Sequence, residues 1–287
     1  MARFGTSQWR RSKTFLSSRG KRAAKLAQGR RVRMRGPPYP PCDDARGDEI
    51  RLRDFDTLTF DVVGTLIDFE TGILDWFRPT LGRHGVSKTD EEILTAFAAV
   101  EDKYQRESPE KPFTEMLPLI YRDMVSGWGF GFRDEDAQSF RNSIRSWPPF
   151  PDTVEALEEL GTRYRLVAVT NADAWALKHM SANMGDPFRE KVTCDEVGVN
   201  KPSSRVFEYA LDKLAPAGVE KQDILHTAQS QYHDIVPASA LGFATMWIER
   251  RHGKGGFGAT PRPQRIATPT FHAASMADFV RQVREEH

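Results

Sequence analysis

Short apolar and β-branched runs punctuate the second half of this chain and its first folded stretch. They read TLTFDVV from Thr57, YRLVAVTN from Tyr164, EKVTCDEV from Glu190, DILHTAQ from Asp223 and FATMWIE from Phe243. Each predicts a strand. Between the later runs the apolar spacing changes to that of a helix. PDTVEALEELGTRY places Pro151 at a helix start, puts Val154, Leu157 and Leu160 on one face, and stops at Gly161. KPSSRVFEYALDKLAP opens with Pro202 and repeats Val206, Ala210 and Leu214 every fourth residue. DIVPASALGF predicts a shorter helix ending at Gly242. Strands alternating with helices argue for an α/β fold, with a parallel sheet covered on both faces.

Residues 69–150 break the alternation. GILDWFRPTLGRHG, DEEILTAFAAVEDKYQ and FTEMLPLIYRDMVSGW are helix-like, and no strand is evident among them. The segment follows the first strand, so it predicts a helical cap inserted into the core. Its many aromatics, Phe97, Phe113 and Trp147 among them, are expected to pack mostly inside that cap. The core is then residues 48–68 and 151–287.

Charge adds a third part. Residues 1–36 carry twelve Lys or Arg and no acid, so the rest of the chain has 29 basic against 40 acidic residues, a net of −11. An organelle transit peptide and a nucleic-acid-binding arm share this composition. We take residues 1–47 as a solvated, disordered extension, with GPPYPPC as a stiff linker into the fold. The two cysteines, Cys42 and Cys194, imply neither a disulfide framework nor a zinc site, and no apolar run approaches a membrane span. A cytoplasmic protein acting on a small molecule is expected, without nucleic acid or membrane.

In open α/β sheets ligands bind beyond the C-terminal ends of the strands, so the polar residues there are the candidates. The first strand leads to Asp61, Gly64 and Thr65. The second ends at Thr170 and Asn171. The fourth leads to Gln229, Ser230, His233 and Asp234. Lys201 stands before the Pro202 helix, where a cation opposes the helix dipole. An anionic partner would offset that cost, and by topology Asp61 or Asp234 could supply it and hold a nucleophilic carboxylate ionised. His226 and His233 lack metal-ligand spacing; His226 is expected to be a strand residue, and His233 to orient its loop. RRHGKGGFGATPRP is rich in glycine but lacks the ending of a phosphate-binding loop, and reads as a mobile loop.

FDVVGTLID, VTN, NKPSSRVF and SQYHD, in this order, resemble the four motifs of the haloacid dehalogenase superfamily. The resemblance covers roughly residues 55–250 and implies a Rossmann-like core with a helical cap. It also implies that Asp61 is a nucleophile forming a covalent ester. Thr65 and Thr170 would hold its surroundings, Asn171 would help bind a substrate carboxylate, Lys201 would supply positive charge, and Asp234 would belong to the acidic loop. A homodimer is expected by this resemblance alone.

The departures bear on the reaction. Phosphatases of the superfamily carry Asp two residues after the nucleophile, as the acid that protonates an alkoxide leaving group. Here Val63 stands there, and Gln229-Ser230 replaces the usual Gly-Asp that helps hold Mg²⁺. Halide leaves carbon without either device. The pattern is therefore similar to the L-2-haloacid dehalogenase branch, with Ser230 in the substrate loop and no metal or other cofactor. Such enzymes offer an aromatic where Val63 stands, Tyr where Phe207 stands, and a cap arginine as halide acceptor. Arg78, Arg83 and Arg106 lie in the cap, and none is singled out for that role. The alternatives are a phosphatase of relaxed pattern using Mg²⁺, and a non-catalytic binding protein on the same scaffold.

Overall fold

The computed structural model describes residues 50–254 and 256–286; the basic arm, the Pro-rich linker and Cys42 lie outside the described residues. Six strands form one parallel sheet in the order β3-β2-β1-β4-β5-β6. β1 (Thr57–Phe60) is central and buried throughout. β2 (Arg165–Thr170) and β4 (Ile224–Ala228) flank it, with Thr57 in register with both Arg165 and Ile224. The chain order reverses at β1, so the crevice beyond its end is where such sheets bind ligands.

The helices between β1 and β2 are α1 (Phe69–Arg83), α2 (Asp90–Glu107), α3 (Phe113–Gly127) and α4 (Asp134–Ser143). α2 begins at Thr89, whose hydroxyl accepts from Glu92 N, while the Glu92 carboxylate accepts from Thr89 N. These helices share a hydrophobic core with the sheet: Phe77, Phe97, Leu117 and Trp147 belong to the same buried cluster as Leu58 and Phe60. Gly72 of α1 is needed for that packing, since a Cβ there would stand 2.3 Å from the Trp147 ring.

α5 (Thr153–Leu160) leads into β2, and α6 (Ala174–Asn183) leads into β3 (Glu190–Thr193). The run expected as one strand, EKVTCDEV, is split. Its second half is a helical turn, α7 (Cys194–Val197), closed by Gly198 at φ +79. α8 (Ser204–Leu214) covers one face with Val206, Phe207, Ala210 and Leu214, against Val167, Val169 and Val192. Leu166 and Ala168 point to the opposite face, the period of two that a strand buried on both sides requires.

The segment after β4 also differs from expectation. A π-type turn, Gln231–Ile235, precedes the short helix α9 (Val236–Ala240). The Ser230 hydroxyl caps that turn by accepting from His233 N. β5 (Ala244–Ile248), β6 (Phe271–Ala273) and α10 (Met276–Glu286) complete the fold. Among the described residues no helix is long and apolar enough to cross a membrane.

Candidate active site

Asp61 follows the last residue of β1 and is 6% exposed. Its backbone N–H donates to Thr227 O of β4, so the strand pairing itself aims the residue. Gly64, at φ +90, lets the chain turn back at once, with Gly64 N donating to Ile67 O. The turn brings Thr65 beneath the carboxylate. Thr65 Oγ1 donates to Asp61 Oδ2 at 2.6 Å and accepts from Gln229 N at 2.8 Å, so the hydroxyl has one direction.

Lys201 is buried, and its ammonium lies between two carboxylates. Nζ donates to Asp61 Oδ1 at 2.9 Å, to Asp234 Oδ1 at 2.6 Å and to Val169 O at 2.8 Å. An ammonium has three donors, and all three are used. Burial works against the charge of Lys201, but the two carboxylates outweigh it and raise the ammonium above its ordinary value. Asp234 also accepts from His226 Nε2 at 3.0 Å, and His226 Nδ1 meets Thr59 Oγ1 at 2.9 Å. Burial disfavours the Asp234 charge too, yet Lys201 and His226 together hold it at about 2. Burial, with the neighbouring Asp234 charge adding to it, outweighs Lys201 and Thr65 and raises the Asp61 carboxyl above its ordinary value, so the lysine offsets only part of the cost of charging it.

Asn171 has a use not anticipated from the sequence. Its Oδ1 accepts from Lys201 N at 2.7 Å and its Nδ2 donates to Lys201 O at 3.0 Å. The amide thus clamps the Lys201 peptide, leaving one hydrogen of Nδ2. Thr170 Oγ1 accepts from Ala172 N at 3.1 Å. Both residues line the same cavity as Asp61, Lys201, Ser230 and Asp234, so all the candidates except Thr65 reach it; Thr65 stands behind Asp61. The cavity volume is about 40 Å³, enough to admit water.

Three wall components were not among the candidates. Glu101 and Gln105 of α2 face the cavity from the helical insertion, and Val63 and Phe113 add apolar wall. Ala259, Thr260 and Pro261 close another side. They belong to the glycine-rich stretch read as a mobile loop, yet Glu70 ties it down, accepting from Arg251 Nη1 at 2.8 Å and from Ala259 N at 2.9 Å. Arg78 and Arg106 pair with Asp90 and Asp102 on the surface, and Arg83 is mostly exposed. None of the three reaches the cavity.

A family model for haloacid dehalogenase-like hydrolases matches residues 55–227, and the chain belongs to that family. The chain is 28% identical over 128 residues to an (S)-2-haloacid dehalogenase of Pseudomonas fluorescens, which is 44% of this chain and 55% of the relative. It is 27% identical over 134 residues to the pyrimidine 5'-nucleotidase YjjG of Escherichia coli K12, 46% of this chain and 55% of that relative. The chain thus spans about half the length of these curated relatives. The fold is that of the L-2-haloacid dehalogenase from Xanthobacter autotrophicus with chloropropionic acid covalently bound, with a TM-score of 0.66 at 18% identity, covering 81% of this chain and 100% of that one. Family and fold are therefore those of the haloacid dehalogenase-like hydrolases.

Proposed function

We propose that the enzyme displaces halide from carbon in a small (S)-2-haloacid, with Asp61 as nucleophile and without a resident metal. The observation that carries this is Val63. An apolar side chain lines the cavity where release of an alkoxide would need an acid. In the proposed reaction an Asp61 oxygen attacks the carbon from behind, the carbon–halogen bond breaks, and the halide leaves with its electron pair. Water then adds to the Asp61 ester carbonyl, releasing a 2-hydroxyacid of inverted configuration, a proton and the free carboxylate. Thr65 and Lys201 orient and charge-balance the nucleophile. Asp234 keeps Lys201 in place, and the remaining Nδ2 hydrogen of Asn171, with Thr170 and Ser230, faces the substrate. The relatives named as (S)-2-haloacid dehalogenases support this substrate class.

The donor chemistry supports a metal-free site. Mg²⁺ asks for a near-octahedral set of oxygens. Among the described residues the strand ends bring two carboxylates here, Asp61 and Asp234, with the Lys201 ammonium between them, which is a sparse set of oxygens beside a fixed positive charge. Asp234 Oδ2 is the one carboxylate oxygen here that is buried without a partner among the described residues. A phosphatase is the second reading, favoured by the nucleotidase relative. The two separate in paired assays. Halide release from (S)-2-chloropropionate should proceed unchanged in EDTA. Phosphate release from an aryl phosphate that strictly requires Mg²⁺, with no halide release, would establish the phosphatase instead.

A further inference from the structure

The cavity poses a problem for an anionic substrate. Among the described residues lining it, Lys201 is the one permanent cation, and its three donors are spent on Asp61, Asp234 and Val169 O. Among the described residues no arginine lines the wall. A carboxylate entering here meets two fixed carboxylates, and the one spare hydrogen of Asn171 Nδ2 cannot offset both, so a second donor is needed.

That donor is at the end of a directed chain of hydrogen bonds. Gln105 Oε1 can only accept, so His233 Nε2, 2.8 Å away, carries the hydrogen. His233 is neutral at pH 7, because burial lowers it to about 4. Its Nδ1 is then an acceptor, and Ser230 Oγ lies 3.2 Å from it. At the other end Gln105 Nε2 donates to Glu101 Oε1 at 3.2 Å. The chain runs from the Ser230 loop of the core through His233 and Gln105 to Glu101 on α2. It delivers a donor to one Glu101 oxygen, and the other has no hydrogen-bond partner among the described residues, while Glu101 lines the cavity. Glu101 is 6% exposed, and Gln105 is its one hydrogen-bond partner among the described residues.

We propose that Glu101 binds the substrate as an uncharged acid, its O–H donating to the substrate carboxylate. This rests on the 2-haloacid reading of the site. An O–H to a carboxylate is a short, charge-assisted bond. The charged groups around Glu101 agree with the protonated form. Asp102 on its own helix, paired with Arg106 at 2.8 Å, adds its negative charge. From the core, Asp61, Asp234 and Lys201 line the same cavity with one net negative charge, and His233 adds none. Burial, with Asp102 adding, pushes the Glu101 carboxyl up to about 8. Ionisation would add a second net negative charge to the cavity and remove the donor together, so binding should fail at alkaline pH.

The test uses propionate, which has the acid group but no leaving group, and the full-length protein. Calorimetric affinity in wild type should be constant from pH 6 to 7 and fall about tenfold per pH unit above the Glu101 transition. Binding at pH 9, compared across buffers of different ionisation enthalpy, should take up close to one proton, and at pH 6.5 none. Glu101→Gln, which keeps a neutral donor, should bind propionate with no alkaline loss. Wild-type affinity equal at pH 7 and 9.5, no proton uptake at pH 9, no propionate binding at any pH, or the same alkaline loss in Glu101→Gln would each overturn the proposal. Proton-linked propionate binding without halide release from 2-chloropropionate would support the role of Glu101 while refuting the dehalogenase reading.

Discussion

Replacing Glu101 by Gln should make the protein more stable, by an amount that grows with pH. In the folded chain the carboxyl holds its proton up to about 8, against an ordinary value of 4.5. Between those limits the unfolded chain has lost a proton that the native chain keeps. Stability therefore falls as pH rises, by roughly 1.4 kcal/mol per pH unit. At pH 7 the accumulated loss is about 3 kcal/mol, and it levels off near 5 kcal/mol above pH 8. Gln carries no such proton, retains an oxygen to accept from Gln105 and fits the same volume. The variant should match wild type near pH 4.5 and exceed it at pH 7. For a chain of this size the gain at pH 7 corresponds to a rise in Tm of about 6–12 °C. Urea denaturation at pH 5 and pH 8, with linear extrapolation, measures both ends. A stability difference between wild type and variant that is the same at the two pH values would refute the argument, because it would mean that Glu101 ionises in the fold as it does in water.

Lys201→Met leaves Asp61 and Asp234 buried without their shared cation; a loss of about 3–5 kcal/mol is expected, readable as a lower urea midpoint at pH 7, with partial recovery at pH 4 as the carboxylates take up protons. Gly72→Ala should destabilise by about 1–3 kcal/mol, despite the better helix propensity of alanine, because the new Cβ meets the buried Trp147 ring at 2.3 Å. A Tm unchanged from wild type would show that Trp147 can move aside. Asp61→Asn keeps the shape of the nucleophile and should fold, while halide release falls by several orders of magnitude in a direct assay.

Much of the sheet was legible because its strands are buried on both faces and read as short β-branched runs. Lys201 could be noticed because a cation at a helix start runs against the dipole, and its ammonium does reach two carboxylates. Other parts carried weaker signals. β6 is three residues long, too short for a pattern. The switch from β3 to α7 falls between Thr193 and Cys194, inside one apolar run. Asn171 is legible as a polar residue at a strand end, but its grip on the Lys201 peptide depends on two loops meeting in space. Glu101 did leave a trace. It stands four residues after Phe97 and eight after Ile93, on the stripe of α2 that also buries Tyr104. A carboxylate on a buried stripe is rare unless it is paired or protonated. That anomaly is visible in DEEILTAFAAVEDKYQ, but the aromatic-rich packing of the insertion gives it no chemical meaning until the fold sets α2 against the strand ends.

In the proposed reaction Asp61 itself bonds to the substrate carbon. A single turnover of (S)-2-chloropropionate in heavy-oxygen water, with enzyme in excess, tests it most directly. If water attacks the Asp61 ester, the first hydroxyacid formed carries ordinary oxygen taken from the carboxylate, and mass spectrometry finds the heavy atom in the peptide containing Asp61. Heavy oxygen in the first-turnover product, with an unlabelled Asp61 peptide, would mean that water attacks the substrate directly and that Asp61 is not the nucleophile.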